Sequence, residues 1–173
     1  MALLFDTSNY GAGINISSDG LIARRTNGFA NAIVFSNRPL NAFEKVTFDI
    51  QQQPGSIWQG SLRLGLYAGH QLPTSDLPLS TMELSLNPSY TMVSIEKYLH
   101  LYNGIRLTVW LTKNHCLNYA INNVLRGTLI DSTQIDENNN HNNNGLRTFR
   151  LVFDLFGNTI RIQLIRDGIV DLI

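Results

Sequence analysis

The adjacent pair of metal-type side chains is His115-Cys116, and the other histidines, His70, His100 and His141, lie far away along the chain. A structural zinc ion takes four cysteine or histidine ligands in tetrahedral array, so this pair does not make a metal centre, and no metal or cofactor is expected. As a nucleophile Cys116 would need a basic neighbour inside a cleft. Successive residues of a strand point to opposite faces, which turns His115 away from it, so a buried, inert thiol is expected. Asp49 and Asp154 both fall on polar registers of apolar alternating runs. Two carboxylates work on a glycosidic bond only when they converge across a cleft, and nothing in their spacing supplies that convergence. No catalytic residue is assigned, and the chain is read as a non-enzyme.

Binding chemistry is better represented. Trp110 sits on the polar register of its strand, between the apolar Val109 and Leu111, as an exposed interface anchor would. Trp58 follows the Gln-rich loop and Pro54-Gly55; it is either a second anchor or a plug for the end of the core. Arg24, Arg25, Arg38 and Lys45 are candidates for one basic patch taking acidic residues or a phosphoinositide headgroup, the bland alternative being a solvated strand edge. Asn27 and Asn31, with Arg38, fall in loops that a sandwich would gather at one end, where binding residues sit on a rigid frame; the alternative for the asparagines is turn chemistry.

The totals bound what these residues can belong to. A chain of 173 residues is one domain of ordinary size and needs no staple. Thirteen basic and thirteen acidic residues cancel, so no broad positive field exists to hold a run of phosphates, and nucleic acid is excluded as a partner. Cys116 is the one cysteine, which removes internal disulfides and points to a reducing, cytoplasmic setting, alternatively one peripheral to the plasma membrane or endosomes. Met1 to Phe5 is too short for a signal-peptide core, and no apolar run reaches the ~18 residues of a membrane span.

The elements that must position the candidates are strands. Lys45 to Ile50 alternates polar and apolar residues, as do Leu62, Leu64 and Leu66 with their neighbours. Ile105 to Leu111 and Leu117 to Ile121 read as a hairpin, and Phe149 to Leu155 with Ile160 to Leu164, around Gly157-Asn158, as a second. Ser18-Asp19-Gly20 has turn chemistry. Gly60 and Gly65 are places for a bulge or a close backbone approach. A short helix is expected within Ser94 to Tyr102. Gln51 to Gly60 and Ala68 to Pro88 read as loops, and Asn138 to Asn144 as a flexible polar insertion inside a single domain spanning residues 1–173. Many short strands punctuated by Gly, Asn and Pro predict an all-β fold, an antiparallel two-sheet sandwich.

Several phrases then resemble the Neuralized homology repeat of the Neuralized family. They are ISSDGLIARR (Ile16 to Arg25), FANAIVFSNRPL (Phe29 to Leu40), EKVTFDI (Glu44 to Ile50) and WQGSLRLGL (Trp58 to Leu66), followed in order by NGIRLTVWL, LNYAIN and FDLFGNTIRIQLI. The resemblance covers most of the chain, loosens over Tyr67 to Leu101, and has Ala32 where the family usually carries glycine. It implies a SPRY-like sandwich that recognises client proteins or peptides, such as Delta-class Notch ligands and Bearded-type inhibitors, for ubiquitin-dependent signalling or trafficking. In that family a separate RING domain of a ubiquitin ligase transfers ubiquitin. Cys116 alone cannot provide the cysteines of a RING, so this chain corresponds to the recognition half. Phosphoinositide binding through the arginines and a sugar-binding sandwich are the rival readings.

Overall fold

A computed structural model describes residues 1–53, 62–69, 71–73, 77–95, 104–131 and 148–166. Alternating residues build β1 (Phe5–Tyr10), β2 (Ile14–Ile16), β3 (Ile22–Arg25), β4 (Ile33–Ser36), β5 (Val46–Gln52) and β6 (Arg63–Tyr67). A one-turn helix α1 (Thr81–Leu84) follows, then β7 (Tyr90–Ser94), β8 (Ile105–Leu111), β9 (Leu117–Ile121), β10 (Val124–Ile130), β11 (Arg150–Asp154) and β12 (Thr159–Ile165). They form a five-stranded sheet in the order β1-β4-β11-β6-β7 and a seven-stranded sheet in the order β10-β9-β8-β5-β12-β3-β2. Neighbouring strands pair antiparallel throughout.

One core lies between the sheets. Phe48, Leu107, Val109 and Ile162 enter it from the larger sheet, and Phe5, Val34, Leu64 and Phe153 from the smaller. Each such side chain contributes about 1.5–3 kcal/mol of burial, which is why period-2 alternation specifies this architecture. The smaller sheet departs from simple alternation because both of its faces are covered. Ile33, Phe35, Tyr67 and Val152 point away from the core and pack with Leu84, Tyr90, Leu72 and Leu77. Leu72, Leu77 and Leu84 belong to the long excursion between β6 and β7, so a stretch read as loop is a lid on this sheet. Gly65 is the close approach expected of it: an added Cβ would overlap the Thr91 carbonyl and the Met92 sulfur of β7.

One expectation falls almost wholly outside the described residues, and another is corrected. The helical turn sits at Thr81–Leu84. Within Ser94 to Tyr102, Ser94 instead closes β7, and residues 96–103 lie outside the described residues. More consequentially, β11 and β12 are not a hairpin. Gly157, at φ +60°, turns the chain, but β11 pairs with β4 and β6 in one sheet while β12 pairs with β3 and β5 in the other. Alternation fixes which face each strand buries and says nothing about whether its neighbour in sequence is its neighbour in the sheet. The β8–β9 hairpin is present as expected, with Trp110 opposite Asn118. The Asn-rich run lies outside the described residues.

Candidate functional site

The four cations proposed as one patch do not gather. Arg24 and Arg25 are consecutive in β3 and therefore point to opposite faces. Arg24 is exposed on the outer face of the larger sheet, directly opposite Arg161 of β12. Arg25 turns inward and is buried, with Nη1 donating to Leu155 O at 3.0 Å and Nη2 to Gly157 O at 2.6 Å. Burial depresses its guanidinium pKa, partly opposed by the Asp154 charge. Lys45 precedes β5, whose other end, Gln51, pairs with Arg161. Six residues of strand, about 20 Å, therefore separate the level of Lys45 from that of Arg24.

Arg38 is also accounted for locally. It meets Glu44 through two parallel bonds, Nη1 to Oε2 at 2.9 Å and Nη2 to Oε1 at 2.5 Å, and its Nε donates to Met1 O at 2.8 Å. Because Arg38 follows β4 while Asn27 and Asn31 precede it, they sit at opposite ends of the sandwich, not in one loop cluster. Asn27 is exposed, and Asn31 adopts φ +56°, its backbone bridging Gly13 N and Leu79 O. Trp58 lies outside the described residues.

The Arg38 bond holds the Glu44 carboxyl below its ordinary pKa of 4.5, helped by the Asn41 amide. A carboxyl depressed by folding adds stability above its unfolded value, and that stability is lost as pH falls through the depressed one. Wild type should therefore exceed Glu44→Gln by about 1 kcal/mol at neutral pH, an exposed-to-half-buried fork being worth no more. In urea titrations the difference should vanish as pH drops below the glutamate range; a pH-independent difference would refute the assignment.

Asp154 is not on a wet register. It faces outward from the smaller sheet but lies beneath α1, fully buried, its Oδ2 accepting from Thr81 Oγ1 at 2.9 Å and Thr81 N at 3.2 Å, with Arg63 at 3.6 Å. Burial raises its pKa against those donors. Asp49 lies on the outer face of the larger sheet, paired with Arg106 at 3.0 Å. With two sheets about 10 Å apart between them, the two carboxylates cannot share a substrate. His115 and Cys116 occupy the β8–β9 turn rather than a strand; His115, at φ +62°, packs on Phe149, and the thiol is half-buried, not fully. Among the described residues no group of three His, Cys, Asp or Glu side chains could hold a metal, and no helix is long and apolar enough to cross a membrane.

What the structure does assemble is a concavity of about 490 Å³ on the outer face of the larger sheet, lined by Lys45, Thr47, Thr108, Trp110, Ala120 and Leu125. Trp110 and Thr108 project there because Ile105, Leu107 and Val109 take the inner register of β8. The Lys45 ammonium stands 5.4 Å from the centre of the indole. Leu125 reaches the same face through the Asn122-Asn123 turn, both residues at positive φ, as a two-residue hairpin turn requires. Leu125 was missed in the sequence, although the Asn-Asn pair after LNYAI was the signal for that hairpin.

The profile of the family described as Neuralized matches residues 5–166, nearly the whole of this sandwich. The chain belongs to the Neuralized family. Its mouse and human relatives named E3 ubiquitin-protein ligase NEURL1B are each 28% identical over 116 residues, covering 64% of this chain. The match spans only 21% and 20% of those proteins. Among solved structures, the NHR domain in Neuralized from Drosophila melanogaster superposes with a TM-score of 0.74 at 26% identity, covering 94% of this chain and 90% of that one. The crystal structure of the Drosophila melanogaster Neuralized NHR1 domain gives 0.73 at 24%, covering 95% and 98%. The TRIM65 PSpry domain, at 0.59 and 13% identity over 95% and 90%, shares the fold. The phrases that carry the Neuralized resemblance are largely architectural: Asp19 of ISSDGLIARR accepts Leu21 N at 3.0 Å within a turn closed by Gly20 at φ +69°, and the last arginine of that phrase is the buried Arg25.

Proposed function

We propose that this Neuralized chain is a recognition domain that holds a segment of a client protein for ubiquitination by a ligase module outside it. The observation that carries this reading is the asymmetry of the sandwich: the smaller sheet is covered on both faces, whereas the larger presents an outer concavity floored by Trp110 and rimmed by Leu125. Aromatic side chains that are half-exposed in a concave, partly apolar site are typical anchors for a protein partner. The separation of Asp49 from Asp154 supports a domain that binds rather than reacts. The family resemblance points to cytoplasmic segments of Delta-class Notch ligands as clients, and to Bearded-type inhibitors as competitors.

Titrating the purified chain with a Delta-class cytoplasmic segment by calorimetry should give saturable binding at about 1 μM or tighter, near −8 kcal/mol. Joined to a RING domain, the chain should direct ubiquitin onto that segment, whereas alone with charged conjugating enzyme it should not. Absence of binding by protein whose circular dichroism is that of a folded β-sandwich would end the reading.

A further inference from the structure

We propose that the outer face of the seven-stranded sheet docks an extended acidic segment of the client. An apolar side chain would sit in the Trp110–Leu125 concavity, with carboxylates on Lys45 and, about six residues away, on the Arg24–Arg161 pair. The proposal rests on the recognition reading and adds a face and a ligand chemistry to it.

Charge is the first ground. In a chain whose charges cancel, the outward registers of β3, β5, β8 and β12, with Lys45 at the rim, carry four cations, Arg24, Lys45, Arg106 and Arg161, against the single carboxylate Asp49. Asp49 is already taken by Arg106. The other three have no carboxylate partner among the described residues: Lys45 rests over an indole, and Arg161 donates to the amide oxygens of Gln51 and Gln163. Like charges directly opposite in a sheet, as Arg24 and Arg161 are, oppose pairing, and an anion from outside would reverse that.

A strained aromatic is the second. Phe43 is 64% exposed and sits at φ +63°, a conformation that costs a bulky residue on the order of 1 kcal/mol or more. Its N–H donates to Leu111 O at 2.8 Å, which ties its backbone to the end of β8 that follows Trp110, two residues before Lys45 in the chain. The backbone turn serves the fold, through Leu111 O and the Asn41–Glu44 bond, but the exposed ring at this position does not, and its presence is explained if it meets a partner.

Spacing is the third. Lys45 and the Gln51–Arg161 pair lie about 20 Å apart along β5, the span of roughly six extended residues. A lipid headgroup would use the cations but leave the apolar lining of Trp110, Ala120 and Leu125 without a guest.

Selection from a phage-displayed random dodecapeptide library tests this. Wild-type protein should enrich sequences with an apolar residue beside Asp or Glu and further acid about six positions on. Against an enriched peptide, Trp110→Ala should weaken binding about thirtyfold, as loss of an anchor does. Lys45→Glu and Arg24→Glu should each weaken it about tenfold, with salt reducing what remains. Phe43→Asn should raise or preserve the melting temperature while weakening binding, a combination that a purely structural role cannot produce. Enriched peptides lacking acid, or variants that bind them as wild type does, would overturn the proposal. So would Lys45-dependent sedimentation with phosphoinositide vesicles without acidic-peptide enrichment. If the Delta-class segment binds wild type, Lys45→Glu and Trp110→Ala alike, this face is wrong while recognition stands; if wild type binds no such segment, recognition itself fails.

Discussion

Replacing Phe153 with alanine should cost the domain about 3–5 kcal/mol, in the upper range for a buried aromatic. Its ring is fully buried at the junction of the sheets, 4.8 Å from Phe48 across the core and 6.0 Å from Phe5 on its own sheet, both edge-on. Each edge-to-face pair adds about 0.5–1.5 kcal/mol beyond area burial. Collapse into the vacated space is resisted because Phe153 pairs with both Val34 and Leu64, so its backbone is held in ladders on either side. Against a total of about 5–15 kcal/mol, one such loss removes much of the margin. Urea unfolding should show a lower midpoint with an unchanged slope, and the melting temperature should fall by about 10–15 °C. A loss below about 1.5 kcal/mol would mean that the core is not organised around this aromatic junction.

The same side chain shows how much was legible beforehand. Its inward register follows from Leu151 and Leu155 on either side, just as the outward register of Trp110 follows from Val109 and Leu111. Period-2 reading therefore gave inside and outside for single strands. It failed where two strands had to be related. The β11–β12 connection reads as a tight hairpin because Gly157-Asn158 supports a turn whether the next strand pairs back or crosses to the other sheet. Asp154 looked solvated because its register was right and its cover, Thr81, lies 73 residues away. The basic patch failed for a reason already present in the sequence: Arg24 and Arg25 are adjacent in a strand and cannot share a face. Arg161, their true test, lay too far along the chain to be set opposite Arg24 without the pairing of β12 to β3.

Arg25 gives the second large effect, and it separates a structural from a binding role. Arg25→Ala should destabilise the domain by about 3 kcal/mol, because it leaves the Leu155 and Gly157 carbonyls without their buried donor and removes a cation near the buried Asp154. Those carbonyls belong to the crossover that carries the chain from β11 to β12, so the loss falls on the link between the sheets. The guanidinium also lies 5.2 Å over the Phe29 ring, a cation–π contact that alanine removes. Lysine has one point charge where two carbonyls need a planar fork, so Arg25→Lys should recover less than half of the loss. Arg24→Ala, one residue away on the outer face, should change stability by under about 0.5 kcal/mol. Urea titrations of the three variants measure this directly. Assayed well below its melting temperature, Arg25→Ala should bind the client segment like wild type. If instead Arg25→Ala were as stable as wild type and lost the client, Arg25 would have to reach solvent, and the crossover would have to be held by something other than this residue.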